Sequence, residues 1–106
     1  MEYLTDGERK AARRLVRSAR SAGYLVSVWE GEGWAIRQSA KEADILRALG
    51  STGEDRLDFI KAAASATEKP ERIGWALLVY GNNPDGSELV ADCQDNEATR
   101  TLIKGV

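Results

Sequence analysis

The sequence contains no histidine, one cysteine, two prolines and one phenylalanine. Without histidine there is no side chain whose ordinary pKa lies near neutrality, no Ser-His or Cys-His nucleophile system and no imidazole metal ligand. Cys93 alone cannot form an internal disulfide, a pattern that suits a reducing cytoplasm. It sits between Asp92 and Asp95, and negative neighbours raise a thiol's pKa rather than activate it, so an inert thiol is expected. No apolar run approaches the roughly 18–20 residues that span a bilayer. The opening MEYLTDGERK has no apolar segment of the kind a signal peptide needs, so export is not expected.

What remains is an ordinary globular composition. The chain has 106 residues, 42% hydrophobic and 30% charged, enough for one domain (1–106) with a modest core. Net charge is −2, but it is unevenly placed. Residues 1–22 hold six of the fifteen bases against three acids, and the remainder holds nine bases against fourteen acids.

Those six bases lie in RKAARRLVRSAR, from Arg9 to Arg20. At about 100° per residue, Arg9, Lys10, Arg13, Arg14, Arg17 and Arg20 fan over roughly 140° of a helix, with Ala12, Leu15, Val16 and Ala19 opposite. Thr5 and Glu8 form a capping box that opens this helix, and Gly23 closes it. The basic fan is the candidate binding surface. It could meet phosphates, an acidic protein surface or a second copy, and a merely solvated face is the plain alternative.

Downstream, Tyr24–Trp29 and Trp34–Gln38 read as strands joined by the turn EGEG. Trp29 and Trp34 flank that turn as a cross-strand pair, expected to serve core and hairpin packing rather than ligand binding. Ser39 with Glu42 predicts a second capping box and a helix to Leu49, ended by Gly50. Arg56–Lys61 suits either a strand or a helix. Ile73–Tyr80 is nearly continuous apolar and predicts a central strand. Gly81–Gly86 is a dense turn signal, Ser87–Asp92 a returning strand, and Asp95 or Asn96 the cap of a last helix. The order α-β-β-α-β-β-β-α, rich in hairpins, predicts an α+β, two-layer domain with a mainly antiparallel sheet of four to five strands.

No chemical centre stands out. Asp85, Glu88, Asp92 and Asp95 match no calcium loop, and turn and cap duty explains Asp85 and Asp95. Neither EGEG nor the GSTG of Gly50–Gly53 completes a phosphate loop. A carboxylate enzyme built on Asp92 and Asp95 is the weakest reading. No catalytic residue, metal or cofactor is expected.

The segments Gly23–Trp34 (GYLVSVWEGEGW), Arg37–Ser39, Ile45–Leu46, Ser51–Asp55, Gly74–Asn82 (GWALLVYGN), Val90–Asp92 and Asp95–Asn96 together resemble small uncharacterised proteins of bacteria and their phages or prophages. The resemblance spans residues 10–100 and is most specific in the Ser-Val-x-x-Gly-Glu and Val-Tyr-Gly-Asn segments. It implies a strand for residues 56–61 and no catalytic residue, and the alanine-rich 62–70 stretch departs from it. It also fits a small binding or inhibitory protein. The expectation is therefore a non-enzymatic, cytoplasmic interaction domain. It would act on a protein partner or self-associate as a homodimer, through the basic face or an uncovered edge strand. Nucleic-acid binding by the basic face is the alternative, and no membrane contact is expected.

Overall fold

A computed structural model of the protein describes residues 3–81, 83–104 and 106. Among these lie three helices and five strands, in the order α1 (Asp6–Ser21), β1 (Tyr24–Trp29), β2 (Trp34–Ser39), α2 (Glu42–Ala48), β3 (Glu54–Lys61), β4 (Glu71–Val79), β5 (Val90–Cys93) and α3 (Glu97–Ile103). The strands form one sheet in the order β2-β1-β3-β4-β5, with every pairing antiparallel. This is the α+β architecture that the alternation of elements predicts.

The helix start is set by the capping box: Thr5 Oγ1 accepts from the Glu8 amide at 3.1 Å, and the Thr5 amide donates to Glu8 Oε1 at 2.9 Å. Glu8 is fully buried and does a second job. The amide of Gly81, at the far end of β4, donates to both its carboxylate oxygens at 2.9 and 3.1 Å. Thr5 Oγ1 also donates to the Asn83 carbonyl at 3.0 Å. The first turn of α1 is thus fastened to a segment more than seventy residues away in the chain. Gly7 allows the approach, since a Cβ there would lie 2.1 Å from the Pro84 carbonyl oxygen. At the other end Gly23 takes a φ of 87° after the Ala22 cap.

All three helices pack on one face of the sheet, with α1 in contact with both α2 and α3. Ala11, Ala12, Leu15, Val16 and Ala19 bring α1 close to Val26, Val28, Leu57, Phe59, Ala76 and Leu78 from the sheet. Ile45, Leu46 and Leu49 from α2 and Leu102 from α3 close the core on either side. Over β4, Thr99 of α3 fills the space that the missing side chain of Gly74 leaves.

Several local expectations are corrected. Ser39 does not cap α2: it is still paired to Val26 in β2, its hydroxyl accepts from the Lys41 amide, and α2 begins at Glu42 with no side-chain cap. The ambiguous 56–61 segment is part of β3, held between β1 and β4 on both sides. That makes β3 the middle strand and puts β4 one place out, so Ile73–Tyr80 is interior rather than central. The returning strand starts at Val90, because Ser87 donates its amide to Asp85 Oδ1 and Leu89 bonds back to Gly86, holding residues 87–89 in turns. Asn82, in the predicted 81–86 turn, lies outside the described residues. Asn96 rather than Asp95 caps α3, its Oδ1 accepting from the Thr99 amide at 2.9 Å.

The tight seat of α1 sets two effects against each other. Alanine is favoured over glycine by about 1 kcal/mol in a helix interior and gains less in the first turn, where Gly7 sits, whereas overpacking against fixed backbone costs about 1–3 kcal/mol. Gly7→Ala is therefore expected to lower the thermal midpoint despite its better helix propensity; an unchanged or raised midpoint by circular dichroism would show that the 83–86 loop yields.

Candidate functional site

Two surfaces on opposite sides of the sheet offer chemistry. The first is the solvent side of α1. Lys10, Arg13 and Arg14 are exposed, and among the described residues none of them has an ion-pair partner. Arg9 is exposed and lies 3.4 Å from Asp6. Arg17 pairs with Glu42 of α2 at 2.8 Å, and Arg20 is half-buried, donating to the Tyr24 carbonyl at 2.7 Å. The six predicted residues therefore do not act as one set. Arg20 serves the α1–β1 junction, Arg9 and Arg17 are shared with acids, and three cations stand out into solvent.

The second surface is the face of the sheet that no helix covers. Antiparallel sheets of this kind ordinarily alternate apolar inward and polar outward. Here apolar residues, three of them tryptophans, hold about half of the outward positions. The pairing registers order them in rows. Trp34, Trp29, Arg56, Leu77 and Asp92 cross all five strands; Ser27, Asp58 and Trp75 form the next row; Leu25, Ile60 and Arg72 the third. All three tryptophans of the chain lie on this face. Trp34 is 39% exposed, and Trp29 and Trp75 are half-buried. The expectation that Trp29 and Trp34 serve the core is therefore corrected. They do pack across the hairpin, edge to face with centroids 5.1 Å apart, but on the outside of the sheet.

A charged cluster sits in the middle of this apolar face. Asp58, only 3% exposed, accepts from Arg56 Nε and Nη2 at 2.9 and 3.1 Å, and Arg72 approaches it to 3.7 Å. Such a two-point bond fixes the guanidinium plane. Arg56 lies about equally close to the Trp29 and Trp34 rings, at 6.0 and 5.9 Å, and Arg37 lies 5.5 Å from the Trp34 ring. The result is a stiff patch of indole and guanidinium planes. A shallow depression beside it is lined by Trp29, Gly31, Glu54, Arg56 and Leu77. No spacing rule marks this patch in the sequence. The signal was there in YLVSVW and IGWALLVY, whose residues are apolar on both strand faces.

Beneath that depression lies Asp55, fully buried and pointing to the helix side. Its Oδ2 accepts from Gly50 N at 2.9 Å and from the Tyr80 hydroxyl at 2.7 Å, while Oδ1 has no partner. Burial raises the Asp55 carboxyl above its ordinary 3.8, and the two hydrogen bonds oppose the rise without cancelling it. Burial and the neighbouring Asp55 carboxylate hold the Tyr80 phenol well above the usual tyrosine range. Asp85, fully exposed, is lowered by the Ser87 amide.

The carboxylates near the last hairpin do not converge. Asp95 pairs with Arg100, and Asp92 accepts from the Cys93 amide. Asp92 borders a groove between β5 and α3 with Val90, Cys93, Ile103 and Val106, and Asp95 does not. Among the described residues no group of acids or Cys93 is placed to hold a metal ion, and no helix is long and apolar enough to cross a membrane. The chain matches no protein family, no curated protein and no solved structure in the comparisons made.

Asp55 gives this region a pH signature. Its folded pKa lies above the unfolded one, so its contribution to stability is full below 3.8 and is lost as pH rises through the folded value. Asparagine at position 55 cannot titrate. Urea midpoints of wild type and Asp55→Asn, compared from acid to neutral pH, are expected to shift in favour of the variant as pH rises; a constant difference would mean that the carboxyl titrates as it does in the unfolded chain.

Proposed function

We propose that this chain is a non-enzymatic interaction domain that engages a protein partner through the helix-free face of its sheet. One observation carries the reading: an outward sheet face bears three tryptophans with Leu25, Ile60, Leu77 and Val79, around Arg56 and Arg72, which share the single carboxylate of Asp58. Tryptophan and arginine are the residue types most enriched where protein contacts hold their binding energy. Trp34 is exposed, Leu25, Trp29, Trp75, Leu77 and Val79 are half-buried and Ile60 lies beneath them, and contiguous apolar surface that water reaches marks interaction sites. The fixed ring and guanidinium planes also lower the ordering cost of binding.

The non-enzymatic part of the reading rests on the absence of histidine and on carboxylates that serve caps, turns and ion pairs. The single free cysteine fits a cytoplasmic setting, and a small interaction protein fits a phage- or prophage-associated origin. Self-association as a homodimer through the same face is the near variant of this reading. A second reading is nucleic-acid binding by α1, favoured by Lys10, Arg13 and Arg14, which are exposed without ion partners among the described residues.

Leu77→Lys separates the readings. Leu77 is half-buried on the helix-free face and makes no hydrogen bond through its side chain, and a lysine there can carry its ammonium out to water, so the variant should fold with a modestly lowered thermal midpoint. It should also lose the partner contacts that wild type makes on chemical cross-linking in the source cell, while Arg13→Gln with Arg14→Gln keeps them. The reverse pattern, together with salt-sensitive binding to duplex DNA that the α1 variant abolishes, would transfer the function to the basic helix.

A further inference from the structure

The helix-free face is rich in donors and poor in acceptors. Among the described residues none of the three indole N–H groups donates to an acceptor within the chain, and none is sealed from solvent. Arg37 is exposed with no acid partner. In the middle of the patch the acceptors are taken, Asp58 by Arg56 and Arg72 and Ser27 Oγ by the Gln38 amide at 2.8 Å, and the exposed carboxylates of Glu54 and Asp92 stand at its margins. A ligand that suits this face brings carbonyl oxygens and apolar bulk and needs few acceptors in return. An extended proline-rich segment has that chemistry, because proline has no amide N–H and the polyproline II backbone leaves its carbonyls outward.

Charge and size point the same way. Glu54 at the start of β3 lines the depression with Trp29, and Glu32 is exposed in the β1–β2 turn; neither has a cationic partner among the described residues, whereas the Glu30 carboxylate accepts from Ser51 Oγ at 3.1 Å. Glu32 and Glu54 offer two carboxylates to a basic flank at this end of the row. Five strands at about 4.8 Å spacing span about 19 Å, which matches about six polyproline residues at about 3.1 Å each. A patch about 19 Å wide and six residues long covers roughly 400 Å², below the roughly 800 Å² per partner of a standard stable interface. A short segment fits it better than a second copy.

We propose that the row of Trp34, Trp29, Arg56 and Leu77 is a docking groove for a proline-rich segment of a partner protein, whose basic end lies at Glu32 and Glu54. The proposal rests on the sheet-face reading above and names the ligand of that face. The indoles cap the ligand's carbonyls, its rings fill the depression between Trp29 and Leu77, and the acidic turn sets its direction.

The test is a titration of isotope-labelled protein with a polyproline peptide carrying arginines at one end, followed through the three indole N–H signals by NMR. Saturable shifts of the indoles are expected. Trp34→Ala should weaken binding by about tenfold or more, as for an anchor residue. Glu32→Lys, which leaves the sheet untouched, should weaken it several-fold, and a glutamate-flanked peptide should bind less well than the arginine-flanked one. The proposal is overturned if the indoles do not respond to the peptide, or if the two flanks bind alike. Two further arms separate failure of the ligand from failure of the face. Indole shifts on adding oligothymidylate, or on raising the protein concentration alone, with none from the peptide, would keep the face and replace its occupant by a nucleic acid or a second copy. Indoles that no addition moves and that acrylamide cannot quench would remove the face itself.

Discussion

A single layer of three helices can cover only one face of a five-stranded sheet, and the rest of this molecule follows from that limit. Helices α1, α2 and α3 pack side by side on one face and bury Val26, Val28, Leu57, Phe59, Ala76 and Leu78 beneath them. The opposite face must meet water, yet its strands were not given water's residues. Each tryptophan left there is a cost to the isolated domain in exposed apolar surface. The chain reduces that cost locally by stacking Trp29 edge-on against Trp34 and laying Arg56 and Arg37 beside the rings. Asp58 then neutralises the arginine that the rings hold. The same groups that make the bare face tolerable make it stiff.

The two sides of the protein consequently differ in kind. On the helix side, charge is mobile: Lys10, Arg13 and Arg14 sit on long side chains in solvent, where salt screens them strongly. On the sheet side, the charge of Arg56 is pinned between two rings and a nearly buried carboxylate. Long-range attraction belongs to the first surface and short-range fit to the second.

Much of the fold was legible in the sequence, for reasons that can be named. Thr5 with Glu8, the 3.6-residue stripe from Ala12 to Ala19 and Gly23 fix α1 by local chemistry alone. The EGEG turn fixes the first hairpin. Where local signals misled, tertiary contacts had decided. Ser39 looked like a cap because a glutamate follows at the right spacing, but strand pairing with Val26 claimed it first. Residues 87–89 looked like strand and are held in turns by Asp85 and Gly86. The candidate site was less legible still. Alternation tells which residues share a face of a strand, not which face the helices will take. With Val26 and Val28 on one side and Leu25 and Trp29 on the other, β1 is apolar both ways, and only the assembled sheet distinguishes inside from outside.

The bond from Glu8 to Gly81 joins the beginning of the chain to its last third. During synthesis α1 is made early and can coil on its own capping box, but its buried carboxylate stays without its second partner until β4 has emerged and paired. The stripe of α1 has β1 and α2 to pack on before β4 exists, so what the turn after β4 adds is a latch on the helix's first turn, closing over a carboxylate that is already out of water.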